Sequence, residues 1–253
     1  MLPEINFFGL TLQTFGTCFA LGFIVAGAVI DRRLKELKQP VEYATQIVFC
    51  ALIGGLVGAR LYWILDNWDE ANGDLFGSIF SGSGLTWYGG AIGGAIAVLI
   101  WAWRKDWLRL ALLDLCAVPL ALGYAVGRVG CQLSGDGDYG KPWDGPWAMG
   151  YPEGKVPTAP GETVHPTPIY ESITMALLAW VLWQLRDRLR PGILFAFYLI
   201  GAGAERLIVE FFRRNPDIFI GLTTAQLESI AMVTAGAVWV AVVARRSGLR
   251  KDV

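Results

Sequence analysis

Seven apolar runs, each close to the length of a bilayer-crossing helix, follow one another along this chain, at roughly 9–30, 43–65, 86–103, 109–131, 168–185, 192–212 and 223–244. About 20 predominantly apolar residues carry a helix across the hydrocarbon core, where the segment must satisfy its own backbone hydrogen bonds. The expected fold is therefore all-α: a polytopic membrane protein with seven transmembrane helices. Helical periodicity adds little, because helices apolar all round have no strong amphipathic signature. Run length and polar punctuation set the boundaries instead. Composition agrees, since 54% of the 253 residues are hydrophobic and only 17% are charged, against about 25% charged in ordinary soluble domains.

Short cytoplasmic loops are enriched in lysine and arginine, which orients the bundle. With the N-terminus outside, one side holds fourteen basic residues: Arg32, Arg33, Lys35, Lys38, Arg104, Lys105, Arg109, Arg186, Arg188, Arg190, Arg245, Arg246, Arg250 and Lys251. The other holds four, Lys141, Lys155, Arg213 and Arg214. An outward N-terminus and a cytoplasmic C-terminus are expected. The opening "MLPEINFFG" carries an acid and no basic residue, unlike the n-region of a cleaved signal peptide, so the first span is expected to stay.

The net charge of −1 argues against a nucleic-acid partner, which would require concentrated positive charge. Cys18, Cys50 and Cys116 lie in apolar runs, where a cysteine packs as a small hydrophobe; neither a disulfide framework nor a metal site is expected, and no cofactor is implied. No lysine lies in a span to form a Schiff base, which disfavours a retinal pump. Residues 1–253 read as a single transmembrane domain with one long outer-face loop at about 132–167, rich in Gly, Pro and Trp. It is expected to be ordered, and long ordered loops tend to be functional. Its Trp143 and Trp147 fit an ordinary interfacial belt equally well.

The spans also contain charges. Arg60, Asp114, Arg128, Glu171, Glu205, Arg206 and Glu210 all fall in them, although a charge at the bilayer centre costs about 2.5–3.5 kcal/mol even on the lenient insertion scale. Arg206 and Glu210 are four apart and share a helix face, and Arg128 reaches the same outer depth. Two guanidiniums at one depth imply an anion between them. Arginine's planar fork matches phosphate bidentately, and the abundant anion at that depth is a phospholipid headgroup. Alternatively, Arg60, Arg128 and Arg206 bridge helices through Asp114, Glu205 and Glu210. Gly127, Gly130, Gly135, Gly137 and Gly140 surround Arg128; glycine lets backbone amides approach a phosphate closely, although the same composition serves many turns.

In order along the chain, "FGTCFALGFIVAG", "GGLVGARLYWIL", "WYGGAIGG", "LDLCAVPLALGYAVGRVG", "HPTPIYES", "RLIVEFFR" and "LTTAQLESI" resemble the prolipoprotein diacylglyceryl transferase family. The resemblance implies a bacterial cytoplasmic-membrane enzyme, working near the periplasmic leaflet, that moves diacylglycerol from phosphatidylglycerol onto the lipobox cysteine of a prolipoprotein signal peptide. It implies that Arg128 and Arg206 stabilise charge on the departing phosphate, and that a nearby group takes the proton of the attacking thiol. Candidates for that acceptor are Glu210, Asp136 and Tyr88. Arg60, Gly127, Gly130, Cys131, Ser134, Gly140, His165 and Glu171 are the expected substrate-binding residues.

The match also has departures. Phe15 precedes Gly16 where many members have a tyrosine, and Tyr88 precedes Gly89 and Gly90 where they have a histidine. In the family signature GRxGNFxNxE, Cys131 and Ser134 take the places of the two asparagines and Asp136 that of the glutamate, with one residue inserted before Gly140. Cys131 invites a covalent route or is a small polar replacement beside the arginine. His165 touches the headgroup or caps the loop. These changes keep a second class open: a non-catalytic phospholipid-binding relative acting as a carrier or assembly partner.

Overall fold

The computed structural model describes residues 1–7, 10–71, 77, 86–218 and 220–249. Gly9, at the start of the first apolar run, and Arg250 and Lys251 of the basic set lie outside the described residues. Seven long helices follow the apolar runs: α1 Thr14–Glu36, α2 Glu42–Asp66, α4 Trp87–Arg104, α5 Leu110–Ser134, α6 Thr167–Leu185, α7 Ile193–Glu210 and α8 Thr224–Ser247. A one-turn helix, α3 Trp68–Ala71, follows α2. Among the described residues, four helical segments are long and apolar enough to cross a membrane, Thr14–Glu36, Glu42–Asp66, Leu110–Ser134 and Thr224–Arg246.

The all-α expectation needs one correction. Strands β1 Glu4–Phe7 and β2 Leu10–Gln13 pair antiparallel, with Glu4 opposite Gln13 and Asn6 opposite Thr11. Polar residues at every second position put a row of hydrogen-bonding side chains on one face of the ribbon. Thr11 donates to Asn6 and Gln13 to Glu4, each at 2.8 Å. That alternation is a strand pattern, and it moves the start of the first helix from residue 9 to Thr14, whose amide donates to the Pro3 carbonyl at 3.0 Å.

The chain forms two compact units, Ile30–Leu112 and Met1–Val29 together with Leu113–Val253. In the first, α2 and α4 touch backbone to backbone through glycine. A Cβ on Gly93 would sit 2.3 Å from the Gly54 carbonyl oxygen, and one on Gly58 2.3 Å from that of Gly89. Small residues permit such approach where apolar lipid removes the hydrophobic drive for helix pairing. Thr86 and Trp101 add hydrogen bonds to the Ala59 carbonyl (3.0 Å) and to Gln46 (2.8 Å).

The second unit is built on a core of Ala117, Ala121 and Ala125 from α5 with Met175 and Leu182 from α6 and Ile193 from α7. Asp114, an intramembrane acid expected to be functional or to bridge an arginine, accepts the backbone amides of Gly192 (2.7 Å) and Phe195 (2.9 Å). It thus satisfies donors that the start of α7 leaves without helical partners. Helix α8 starts with a capping box between Thr223 and Gln226. The loop between α5 and α6 packs around Tyr139 and Tyr151, stacked at 4.7 Å, and the buried Val164.

Replacing Gly93 by alanine forces backbone against backbone, an overpacking expected to cost about 1–3 kcal/mol. Gly127, by contrast, has nothing within 4 Å of an added Cβ. Thermal unfolding in detergent should show Gly93→Ala lowering Tm by several degrees and Gly127→Ala leaving it unchanged or raised; equal Tm values would contradict the close contact.

Candidate active site

Helix α6 begins after Pro166, with Pro168 in its first turn, where a proline's missing N–H has no helical partner to lose. One turn further in, Glu171 is fully buried. Three guanidiniums converge on it. Arg128 Nε of α5 lies 3.1 Å from its Oε2, Arg206 Nη1 of α7 lies 2.7 Å from Oε1, and Arg213 Nη1, just past α7, lies 3.4 Å from Oε2. The Tyr124 hydroxyl donates to Oε1 at 3.0 Å and accepts from Arg128 Nη2 at 2.9 Å. Tyr124 precedes Arg128 by one helical turn, so their side chains meet, with the guanidinium 4.9 Å from the ring centroid.

Two more carboxylates complete the cluster. Glu210 Oε2 meets Arg206 Nη2 at 3.1 Å, while its Oε1 accepts from Thr223 at 2.8 Å and Asn215 at 2.7 Å. Asp138, in the loop after α5, pairs one oxygen with Arg128 Nη1 and the other with Arg213 Nη2. Burial alone would raise the Asp138 carboxyl, but the guanidiniums of Arg128 and Arg213 outweigh it and hold the group at about 2. Asp136 shifts the other way, raised by burial and then by the charge of Asp138. Its Oδ1 accepts the Asp138 amide at 3.3 Å.

Arg128 and Arg206, expected to share an anion, do converge, on a carboxylate of the protein itself. The bridge is Glu171, neither Asp114 nor Glu205. Cys131 is buried with its Sγ 3.7 Å from Arg128 Nη1. Ser134 is buried, its hydroxyl turned back to the Cys131 carbonyl at 3.3 Å. Gly130 packs against α1, where an added Cβ would lie 2.7 Å from Cys18 Cβ. Gly140 sits where a Cβ would meet the Phe212 carbonyl oxygen at 2.4 Å, and its own carbonyl accepts Arg214 Nε at 2.7 Å. It ties the loop between α5 and α6 to the end of α7.

His165 stacks on Trp143 at 4.4 Å with 8° between the planes, and its Nδ1 is 3.3 Å from the Tyr170 hydroxyl. Burial lowers its proton affinity. Trp147 donates to the same hydroxyl at 2.7 Å, so both tryptophans belong to an aromatic group around His165. Arg60 and Tyr88 lie in the other unit, Arg60 buried with its guanidinium 4.6 Å from the Trp63 ring and Tyr88 6.5 Å from the Tyr62 ring.

Sequence reasoning missed Arg213, Asp138 and Tyr124. Arg213 follows Glu210 by three residues and Tyr124 precedes Arg128 by four, helical spacings that were available as signals. Donor atoms of Cys131, Asp136 and Asp138 lie within 4.8 Å of one another, but guanidiniums already bind both oxygens of Asp138 and oppose a cation there. The arrangement suits an anion with several oxygens, held by charge-assisted hydrogen bonds in a water-poor setting.

The sequence model of the prolipoprotein diacylglyceryl transferase family matches residues 3–242. The chain belongs to that family. A protein named phosphatidylglycerol-prolipoprotein diacylglyceryl transferase from Clostridium tetani is 35% identical over 234 residues, covering 90% of this chain and 92% of its own. Proteins of the same name from Gloeobacter violaceus and Zymomonas mobilis are 32% and 34% identical, covering 90% and 95% of this chain and 87% and 88% of theirs. Asp136 is the residue expected in the place of the family's signature glutamate. Asp138 is the acid in contact with Arg128.

Removing one charge from a buried ion network leaves its partners uncompensated, at a cost of about 3–5 kcal/mol. Glu171→Gln should accordingly lower Tm far more than Glu162→Gln, whose carboxylate pairs with Arg214 at 2.6 Å in a more exposed place. Thermal unfolding of the two variants checks this, and equal Tm values would contradict Glu171 as the hub.

Proposed function

We propose that this chain transfers a diacylglyceryl group from phosphatidylglycerol to the lipobox cysteine thiol of a prolipoprotein. In that reaction a C–S bond forms at the glycerol carbon as its C–O bond to phosphate breaks. The electron pair leaves on the phosphate oxygen, releasing glycerol phosphate and leaving a thioether on the peptide. The observation that carries the reading is the convergence of Arg128, Arg206 and Arg213 at one buried place. Family membership supports it, as do the names of the relatives.

Preorganised guanidiniums favour the phosphate most as its negative charge grows in the transition state, so they lower the barrier as well as bind. The thiol proton needs an acceptor. Of the three candidates, Glu210 already accepts from Thr223 and Asn215 at Oε1 and pairs its Oε2 by charge with Arg206. Asp136 stands in the loop beside Arg128, with its proton affinity raised by burial and by Asp138, and we assign it the role. Cys131 is a packing neighbour of the arginine and not a nucleophile.

The full reading places seven spans in a bacterial cytoplasmic membrane, with the N-terminus and the arginine cluster toward the periplasmic side and the C-terminus in the cytoplasm. The basic residues support this orientation. Helices α4, α6 and α7 would be the remaining crossings, the last two carrying the polar residues of the cluster. Lipid reaches such a site sideways from its leaflet, and the peptide from the outer loop.

The test is incubation of purified protein with phosphatidylglycerol and a lipobox peptide, read by mass spectrometry. Wild type should add one diacylglyceryl mass, and Arg128→Ala and Arg206→Ala should each lower the rate by about 100-fold or more, as loss of a transition-state donor does. Stoichiometric lipid retention without product would instead identify a non-catalytic binder.

A further inference from the structure

Among the ion pairs of the described residues, three guanidiniums in this cluster face three carboxylates, Arg128, Arg206 and Arg213 against Asp138, Glu171 and Glu210. In this arrangement the six side chains carry no surplus positive charge with which to attract an anion. A phosphate can gain full charge-assisted bonds there only if one carboxylate gives way. We propose that Asp138 is that carboxylate: it occupies the phosphate seat between Arg128 and Arg213 and is exchanged for the phosphate diester of phosphatidylglycerol in each turnover, setting the lipid's apparent affinity. The inference rests on the activity proposed above for the identity of the anion.

The other two acids are built to stay. Glu171 and Glu210 sit on helices with side chains wholly removed from solvent. Glu171 also holds the Tyr124 hydroxyl, and Glu210 holds Thr223 and Asn215. Moving either would strand several buried donors at once. Asp138 differs on each count. Its side chain is 32% exposed, it is in a loop, and its carboxylate oxygens pair with Arg128 and Arg213, with the Cys131 thiol as a further hydrogen-bonding neighbour. Its two oxygens each take one guanidinium, as two non-bridging oxygens of a phosphate diester would.

The backbone beneath it is fixed. Thr167 Oγ1 donates to the Asp138 carbonyl at 2.6 Å, the Gly140 amide donates to His165 at 2.8 Å, and Gly137 adopts a φ of +95° closed to other residues. Exchange is therefore a rotation about the side-chain torsions of Asp138 and leaves the loop in place. Arg128 and Arg213 stay anchored on Glu171 meanwhile, so the seat keeps its geometry while its occupant changes.

The experiment uses the whole protein in phosphatidylcholine nanodiscs, titrated in one arm with phosphatidylglycerol and in the other with inorganic phosphate. A competing internal anion lowers apparent affinity by the fraction of time it holds the seat, so Asp138→Asn should bind phosphatidylglycerol roughly 10-fold more tightly than wild type and show a lower KM for it in the thioether assay. A gain for phosphate as well as lipid supports the seat; a gain for lipid alone supports it and assigns it to the headgroup in place. Unchanged or weaker binding in both arms, or a fall in kcat with KM unmoved, overturns it.

Should Asp138→Asn lose its cooperative unfolding transition, carbodiimide labelling of the wild type decides. Phosphatidylglycerol should raise labelling at Asp138 several-fold as the carboxylate leaves the guanidiniums, and unchanged or reduced labelling overturns the exchange. Binding and labelling are read without turnover. A wild type that makes no thioether would thus remove the proposed reaction while leaving this result standing or falling by itself.

Discussion

Glu171 lets three guanidiniums share one small, water-poor volume. Positive charges brought so close repel strongly in a medium of low dielectric, and a buried carboxylate that touches all three offsets that repulsion while fixing where each points. Arg128 on α5, Arg206 on α7 and Arg213 beyond it are thereby held to a common centre on α6. The surrounding structure serves this meeting. The helix entry at Pro166 positions the acid, Thr223 at the start of α8 steadies Glu210, and Gly140 with Arg214 holds the loop between α5 and α6 to the end of α7.

Charge inside an apolar bundle has more than one use, and the acids here separate them. Asp114 is as unexpected in its apolar run as Glu171 is in its own. It ends on the backbone amides at the start of α7, a structural task. Glu171 ends on arginines. What distinguishes a functional charge from a capping one is the partner, and in a membrane protein either partner suffices to make the charge tolerable.

Much of the fold was legible because hydrophobic length is the dominant constraint on a spanning helix. The runs expected at 43–65 and 168–185 lie within a residue of Glu42–Asp66 and Thr167–Leu185 at both ends. The hairpin at Glu4–Gln13 was not legible, since its short strands merge into the apolar run that follows and only four polar side chains mark the alternation. At the site, the meeting of Arg128 with Arg206 was legible from the common depth expected for them in two apolar runs. Arg213 was hidden by being counted with the charges that set orientation, although it is almost wholly buried. Choosing between Asp136 and Asp138 required the path of a glycine-rich turn with positive φ at Gly135 and Gly137, which residue spacing does not encode. Nor does proximity in sequence to Arg128 reveal that Gly130 faces Cys18 of α1 or that the Ser134 hydroxyl turns back to the Cys131 carbonyl.

The proposed activity requires an anionic lipid phosphate to bind to the guanidinium cluster centred on Glu171. The most direct measurement is an experimental structure of the protein reconstituted with phosphatidylglycerol. Phosphorus density is expected within charge-assisted hydrogen-bonding reach of Arg128, at about 2.7–2.9 Å from nitrogen to oxygen, with Glu171 still joining the arginines. Headgroup density elsewhere, with Arg128, Arg206 and Arg213 bound only to carboxylates, would contradict it.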